Sequence, residues 1–312
     1  MAEPSDKRVL SIQSSVVFGY VGNKSATFPL QLHGYDVSTI NSVQFSNHTG
    51  YGIWKGQVLG AQDVTELFNG LRINNLLNFS HVLTGYIGSE SFLKKVGEAV
   101  RELKAKNPNL KYVCDPVMGD NGKLYVSETL VPVYRTEIVE QADIITPNQF
   151  ELELLTQLEI KNEEQAFMAM NELHKRGVSI VVLSSSTLGD KNTLLCLASI
   201  RRGHFWWVFF FSILGEVSKK YRLKIPLLGA IFVGTGDLFA ASLLTWLDKE
   251  SEFKDALEKT VSVVQHVIRR TYEHAQSKLK RETPSMAQME LHLVQSKKDI
   301  EDPQVLIQAE EL

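Results

Sequence analysis

The chain has 312 residues, 44% hydrophobic and 22% charged, and carries a formal net charge of −3. This is globular composition with ample length for a buried core, and the slight negative balance argues against a nucleic-acid partner. Only two cysteines occur, Cys114 and Cys196, neither in a Cys-x-x-Cys pair, which excludes a disulfide framework or cysteine zinc site and predicts a reducing, cytoplasmic setting; residues 1–8 hold no apolar signal core.

In chain order, residues 8–14 read as a buried strand, and 36–44 alternate as a second. Residues 63–77 have helical spacing, and 81–86 return as a strand. Residues 90–106 form an amphipathic helix with Phe92, Val96, Ala99, Val100 and Leu103 on one side. Residues 110–114 give the next strand, ending at Asp115 and Pro116, and 143–146 a short one closed by Pro147. Asn162 and Gln165 have capping-box spacing before a helix that stops near Gly177. Residues 179–185 are strand-like, and a helix covers 237–247. Phe253, Leu257, Val261, Val264, Ile268, Tyr272, Ala275 and Leu279 mark one long amphipathic helix, and 280–284 is the best linker candidate. Alternating strands and helices predict an α/β fold, its parallel sheet covered on both faces, with ligands gathered at the carboxyl ends of the strands.

Those ends are rich in chemistry. The first strand ends at Ser14, and Gly19–Asn23 follows as Gly-Tyr-Val-Gly-Asn. The second leads into Phe45-Ser-Asn-His-Thr-Gly-Tyr51, and the third into Thr84-Gly-Tyr86. Asp115 and Asp120 follow the fourth, Thr146 to Glu151 the fifth, and Ser184 to Ser186 the sixth. Early ends offer hydroxyls and aromatics; late ends offer acids and hydroxyls. That division suits an uncharged organic substrate beside a nucleotide. Asn148 and Glu151 lie three apart at a helix start. An amide and a carboxylate there suit Mg2+, and they equally suit a helix cap. His48 reads more readily as a structural hydrogen-bonder than as a substrate contact, and His266 and His274 have no metal-binding company. Lys219, Lys220 and Arg222 could reach phosphates, although a short charge run is usually a solvated face.

The sharpest signal is Val233-Gly-Thr-Gly-Asp-Leu-Phe239 at the start of a helix. Two glycines let backbone N–H groups turn toward one point, and a helix N-terminus favours an anion there. Asp237 beside such an anion hole makes poor sense as a phosphate ligand. It makes better sense as a general base for an attacking hydroxyl, against the plain alternative of an N-cap.

Together with Asn41-Ser-Val-Gln-Phe-Ser-Asn-His-Thr-Gly-Tyr51, Cys114-Asp-Pro-Val-Met-Gly-Asp120 and Ile145-Thr-Pro-Asn-Gln-Phe-Glu151, this turn resembles the pyridoxal kinase family of the ribokinase-like superfamily. The resemblance implies a single three-layer α/β/α domain over residues 1–312 with a central, mostly parallel sheet. It implies ATP-dependent transfer to the 5′-hydroxyl of pyridoxal, pyridoxine or pyridoxamine. Ser14 and Thr49 would meet the ring's polar atoms, with Val21, Val43, Phe45 and Tyr86 along its faces. Asp237 matches the catalytic base, beside Gly234, Thr235 and Gly236. The nucleotide would use Asp115, Tyr125, Ser184, Ser185, Leu228, Phe232, Gly234 and Thr235. Asp115 and Thr146 match positions that place K+ or Na+. Asp120, Asn148 and Glu151 would organise Mg2+, or another divalent ion such as Zn2+, with ATP. The family implies a homodimer and no membrane. Two features depart from it. Residues 120–125 are a short connection, and 203–217 carry Phe205-Trp-Trp-Val-Phe-Phe-Phe211 where relatives have a polar loop. That run reads as an insertion near the adenine pocket, ahead of a tail over 280–312 packed on the domain. The rivals are a hydroxymethylpyrimidine kinase, a B6-binding protein whose nucleotide site the insertion spoils, and a membrane-attached protein using 205–214.

Overall fold

The computed structural model describes residues 7–201, 218–278 and 284–312. Strand β1 (Arg8–Val16) is buried from Val9 onward on both faces, as expected of a central parallel strand. Helix α1 (Asn23–Leu32) and strands β2 (Asp36–Phe45) and β3 (Gly56–Val58) follow, then α2 (Ala61–Ile73), β4 (His81–Thr84), α3 (Glu90–Lys106) and β5 (Lys111–Cys114). A small hairpin, β6 (Gly119–Asp120) and β7 (Lys123–Leu124), turns through Asn121 and Gly122, both at positive φ. That is the requirement of a two-residue loop matched to strand twist. Next come α4 (Leu130–Val133), β8 (Ile144–Ile145), α5 (Gln149–Thr156), α6 (Glu163–Lys175), β9 (Ile180–Ser186), β10 (Thr193–Arg201) and β11 (Ser218–Pro226). Helices α7 (Thr235–Lys249), α8 (Phe253–Lys278) and α9 (Lys297–Glu301) and strand β12 (Glu310–Glu311) complete the described order.

The sheet has the order β12-β11-β10-β9-β8-β5-β4-β1-β2-β3. Strands β2, β1, β4, β5, β8 and β9 are parallel. Both flanks are antiparallel, through β3 on one side and β10 to β12 on the other. Successive side chains alternate between two cores. Leu10, Val82, Tyr112, Val181 and Leu197 face α2 to α6. Val9, Leu83, Val113, Val182 and Ala198 face α1, α7 and α8. The fold is therefore the three-layer, mostly parallel α/β arrangement expected.

Local chemistry explains where expectations held and slipped. Helix α3 has the expected bounds, because Ser89 accepts from Phe92 N–H and Lys104 and Lys106 sit in its last turn. Asn162 caps α6, accepting from Gln165 N–H at 2.9 Å. The reciprocal half of the expected capping box is displaced, since Gln165 Oε1 accepts from Lys161 N–H instead. Helix α7 begins at Thr235, so the glycine turn feeds it directly.

The aromatic run at 203–217 lies outside the described residues, as does most of the expected linker. The described residues nearest it are Arg201 and Ser218. Arg201 pairs with Ser218, and Arg201 N–H donates to Ser179 O at the amino end of β9. Seven residues of β10, roughly 24 Å at about 3.4 Å per residue, separate Arg201 from Leu194 at the carboxyl edge. Arg201 and Ser218 therefore lie at the edge of the sheet opposite its ligand end. Past residue 284 the chain returns to the body: His292 N–H donates to Thr271, Leu306 N–H to Ser262 and Ala309 N–H to Glu258. Among the described residues, no helix is long and apolar enough to cross a membrane.

Candidate active site

The strand ends open into one cavity of about 610 Å³ at the carboxyl edge. Every substrate, nucleotide and metal residue implied by the family resemblance lines it. Ser14, Val21, Val43, Phe45, Thr49 and Tyr86 form one wall. Asp115, Asp120, Tyr125, Thr146, Glu151, Ser184 and Ser185 line it from the stretch between β5 and β9, and Leu228, Phe232 and the glycine turn line it from the segment between β11 and α7. Ser14 sits where β1 slips register between Gln13 and Ser15, a bulge that re-aims a side chain at a strand end.

The acidic side is built from backbone donors. Glu151 Oε1 accepts from Met118 N–H at 2.9 Å and Gly119 N–H at 3.4 Å, and Oε2 accepts from Asn148 N–H at 2.9 Å. Asn148 Oδ1 accepts in turn from Glu151 N–H, and its Nδ2 donates to Gly119 O at 2.7 Å. Both polar atoms of Asn148 are thus spent on capping α5 and fixing the β6–β7 hairpin. Burial raises the Glu151 carboxyl to about 7, although those three N–H groups oppose the shift. Asp115 is also buried and is pushed well above the carboxylate range, first by desolvation and then by Glu151 and Asp237. Thr146 Oγ1 donates to Asp115 Oδ1 at 3.2 Å. Asp120 binds its own turn through Asn121 N–H and Nδ2.

Such a set attracts cations. Its donors are hard oxygens, which fit Mg2+ or a monovalent ion. Among the described residues, no three His, Cys, Asp or Glu side chains converge as a ready metal cage.

Asp237 stands at the first turn of α7. Gly22 N–H donates to its Oδ2 at 2.7 Å, and desolvation raises its carboxyl to about 6 against that hydrogen bond. Gly22 has φ 54° and ψ −132°, and a Cβ there would lie 2.0 Å from Ser14 O. Gly234 has φ 87°, and a Cβ there would lie 2.0 Å from Tyr20 O. Ser25 Oγ donates to Gly234 O at 3.0 Å. Side chains at both glycines are thus excluded by backbone, and the Tyr20–Ser25 stretch is locked onto the turn. The first N–H groups of α7 have no partner within the helix and open toward the cavity with its positive end.

The charged candidates outside the cavity are used elsewhere. Arg222 pairs with Glu163 and Glu310, Lys219 with Glu311, and Lys220 lies over the Phe167 ring. His266 contacts Gln304 O, and His274 lies against His292. Cys114 and Cys196 are free and buried, with thiols pushed up to about 12 by desolvation.

A family model described as phosphomethylpyrimidine kinase matches residues 31–209. Pyridoxal kinase of Sus scrofa is 53% identical, covering 98% of this chain and 95% of its own length. Pyridoxal kinase of Arabidopsis thaliana is 49% identical over 99% and 96%. The chain belongs to the pyridoxal kinase family. The structure of pyridoxal kinase from Leishmania donovani in complex with ADP and pyridoxamine matches with a TM-score of 0.88 at 36% identity, covering 98% of this chain and 99% of that one.

Some cavity residues of this family member were not singled out from the sequence. Val261, Val264, Gln265 and Ile268 reach the cavity from α8, and Met286 from the segment after it. The α8 residues share the apolar stripe that builds the core, so periodicity alone does not separate lining from packing. Gly22 was also missed as the donor to Asp237. Its one signal is a second glycine three residues after Gly19.

Proposed function

We propose that this chain is a pyridoxal kinase, transferring the γ-phosphoryl group of ATP to the 5′-hydroxyl of pyridoxal, pyridoxine or pyridoxamine. The observation that carries the reading is Asp237: a carboxylate with a raised proton affinity, held by Gly22 N–H at a helix N-terminus, between a hydroxyl-and-apolar wall and an acidic one. A base whose affinity for a proton lies near the working pH suits deprotonation of an alcohol. As the hydroxyl oxygen bonds to the γ-phosphorus, its proton passes to Asp237, the bond to the bridging oxygen breaks, and ADP leaves.

Ser14 and Thr49 position the ring through their hydroxyls, and Val21, Val43, Phe45 and Tyr86 exclude water from its faces. The amides of Gly234, Thr235 and Gly236 stabilise the charge on the transferring group. Positioning and electrostatics of this kind are what a protein supplies to phosphoryl transfer. Leu228, Phe232, Tyr125, Ser184, Ser185 and Asp115 receive the nucleotide. Asp120 and Glu151 would hold the divalent ion, Asn148 keeps Glu151 in place, and Asp115 and Thr146 would hold the monovalent one. When bound, the divalent ion neutralises phosphate charge. Nothing in this reading needs residues 203–217, so the chain works as one domain.

The phosphomethylpyrimidine kinase description of the family model motivates one rival substrate, a hydroxymethylpyrimidine. Purified protein with Mg-ATP should convert pyridoxal to pyridoxal 5′-phosphate, with the pyrimidine alcohol a poor competitor. Preferential turnover of the pyrimidine would reverse the assignment. We further propose a homodimer through the β3 edge, where Phe18, Ile53, Trp54 and Val58 are exposed; a monomeric mass by sedimentation would refute it. The free thiols support a reducing, cytoplasmic setting.

A further inference from the structure

We infer that Glu290 is a positioning residue for the vitamin side of the site, acting through His48 and Tyr51; the inference rests on the proposed kinase reading. Glu290 is absent from the cavity lining, lies far along the chain, and is directed at the back of the substrate wall. Its Oε1 accepts from Tyr51 OH at 2.8 Å and lies 3.3 Å from His48 Nε2. Its Oε2 accepts from Tyr20 N–H at 3.0 Å. One carboxylate therefore joins two loops: the turn Thr49–Tyr51, which bears the Thr49 hydroxyl, and the loop running from Tyr20 to Gly22, which holds Asp237.

The hydrogen bonds leave little freedom. Gly50 N–H donates to His48 Nδ1 at 3.1 Å, which leaves Nε2 as the ring nitrogen that faces Glu290. His48 is buried and packs on Tyr51 with ring centroids 4.7 Å apart. Gly19 has φ 94°, and a Cβ on it would lie 2.3 Å from either Glu290 oxygen. A Cβ on Gly50 would lie 2.9 Å from the His48 ring and 3.7 Å from Val233, at the head of the glycine turn. Thr49 thus reaches the cavity from a turn whose register is set from behind by Glu290. Burial raises the Glu290 carboxyl, but the His48, Tyr51 and Tyr20 hydrogen bonds outweigh it and leave the group below its ordinary range.

The test uses Glu290→Ala, Glu290→Gln and Tyr51→Phe in the full chain. It combines steady-state kinetics with calorimetric binding of pyridoxal in the absence of ATP. Glu290→Ala should raise the KM and the dissociation constant for pyridoxal about tenfold, the scale of a hydrogen bond to a charged group, with the KM for ATP unchanged. Tyr51→Phe should give a smaller shift in the same two quantities, since His48 and Tyr20 keep their partner. Glu290→Gln should fall between, because its amide would present a donor to Tyr20 N–H. If Glu290→Ala fails to fold, the other two variants carry the test. Lower melting temperatures with unchanged pyridoxal constants, or equal losses for pyridoxal and ATP, would overturn the inference. Wild-type protein that neither binds nor turns over pyridoxal would instead overturn the proposed function.

Discussion

Replacing Asp237 by Asn should stabilise the protein while disabling it. The side chain keeps its shape, and an amide oxygen can still accept from Gly22 N–H. What is lost is a charge in a poorly solvated place and the proposed proton acceptor. The carboxyl rises from 3.8 to about 6 on folding. At 1.36 kcal/mol per unit, that corresponds to a penalty of about 3 kcal/mol when Asp237 is ionised. The sign follows from proton binding. Between pH 4 and 6 the folded state holds a proton that the unfolded state has released, so this group lowers stability as pH rises through that window. Above about pH 6 the penalty is complete. Relief of Asp115, which Asp237 pushes upward, adds to the gain. Urea melts at pH 8 should therefore show Asp237→Asn more stable than wild type, with the gap closing toward pH 4. Turnover should fall by roughly 10²–10⁴-fold, the usual loss with a general base. A variant of near-normal kcat would refute the base, and one destabilised at pH 8 would refute the electrostatic reasoning.

Further outcomes follow from the same geometry. Ser14→Ala and Thr49→Val should each weaken pyridoxal affinity by about 0.5–1.5 kcal/mol, measured by calorimetry, with ATP affinity unchanged. Gly22→Ala should lower both stability and kcat, because its Cβ meets Ser14 backbone and the donor to Asp237 must move; a wild-type melt and kcat would contradict this. Because the free Glu151 carboxyl titrates near 7, cation binding must expel protons below that pH. The Mg2+ midpoint at fixed ATP should therefore be higher at pH 6 than at pH 8, and Asp120→Asn should raise it at both. Replacing residues 203–217 with a short Gly/Ser turn should leave the KM for ATP and the cooperative melt intact, since Arg201 already pairs with Ser218; a raised KM for ATP would place the segment at the nucleotide.

The sequence exposed what repeats and what is chemically conspicuous. Helix α3 was legible in full because its apolar stripe and its end residues agree. The cavity was legible as a list because strand ends alternate between packing residues and hydroxyls or acids. Helix α1 escaped notice: it has no side-chain N-cap, no charged residue suited to either end, and Pro29 inside it, so its local signals oppose the packing of Ala26 and Leu30 that stabilises it. The antiparallel flanks escaped as well, because alternation in β10 and β11 does not state which neighbour is paired or in which direction. The three-residue spacing of Asn148 and Glu151 fits a metal pair and a helix cap alike, and the reciprocal capping hydrogen bonds became visible only in the structure. Glu290 had no local signal, since its partners lie about 240 to 270 positions away along the chain.

The central claim is tested most directly by incubating purified protein with Mg-ATP and pyridoxal and measuring pyridoxal 5′-phosphate and ADP together. The account predicts equimolar formation of both, dependent on the divalent cation and abolished to within a small residue by Asp237→Asn. Pyridoxal binding without either product, or ATP hydrolysis without pyridoxal 5′-phosphate, would contradict it.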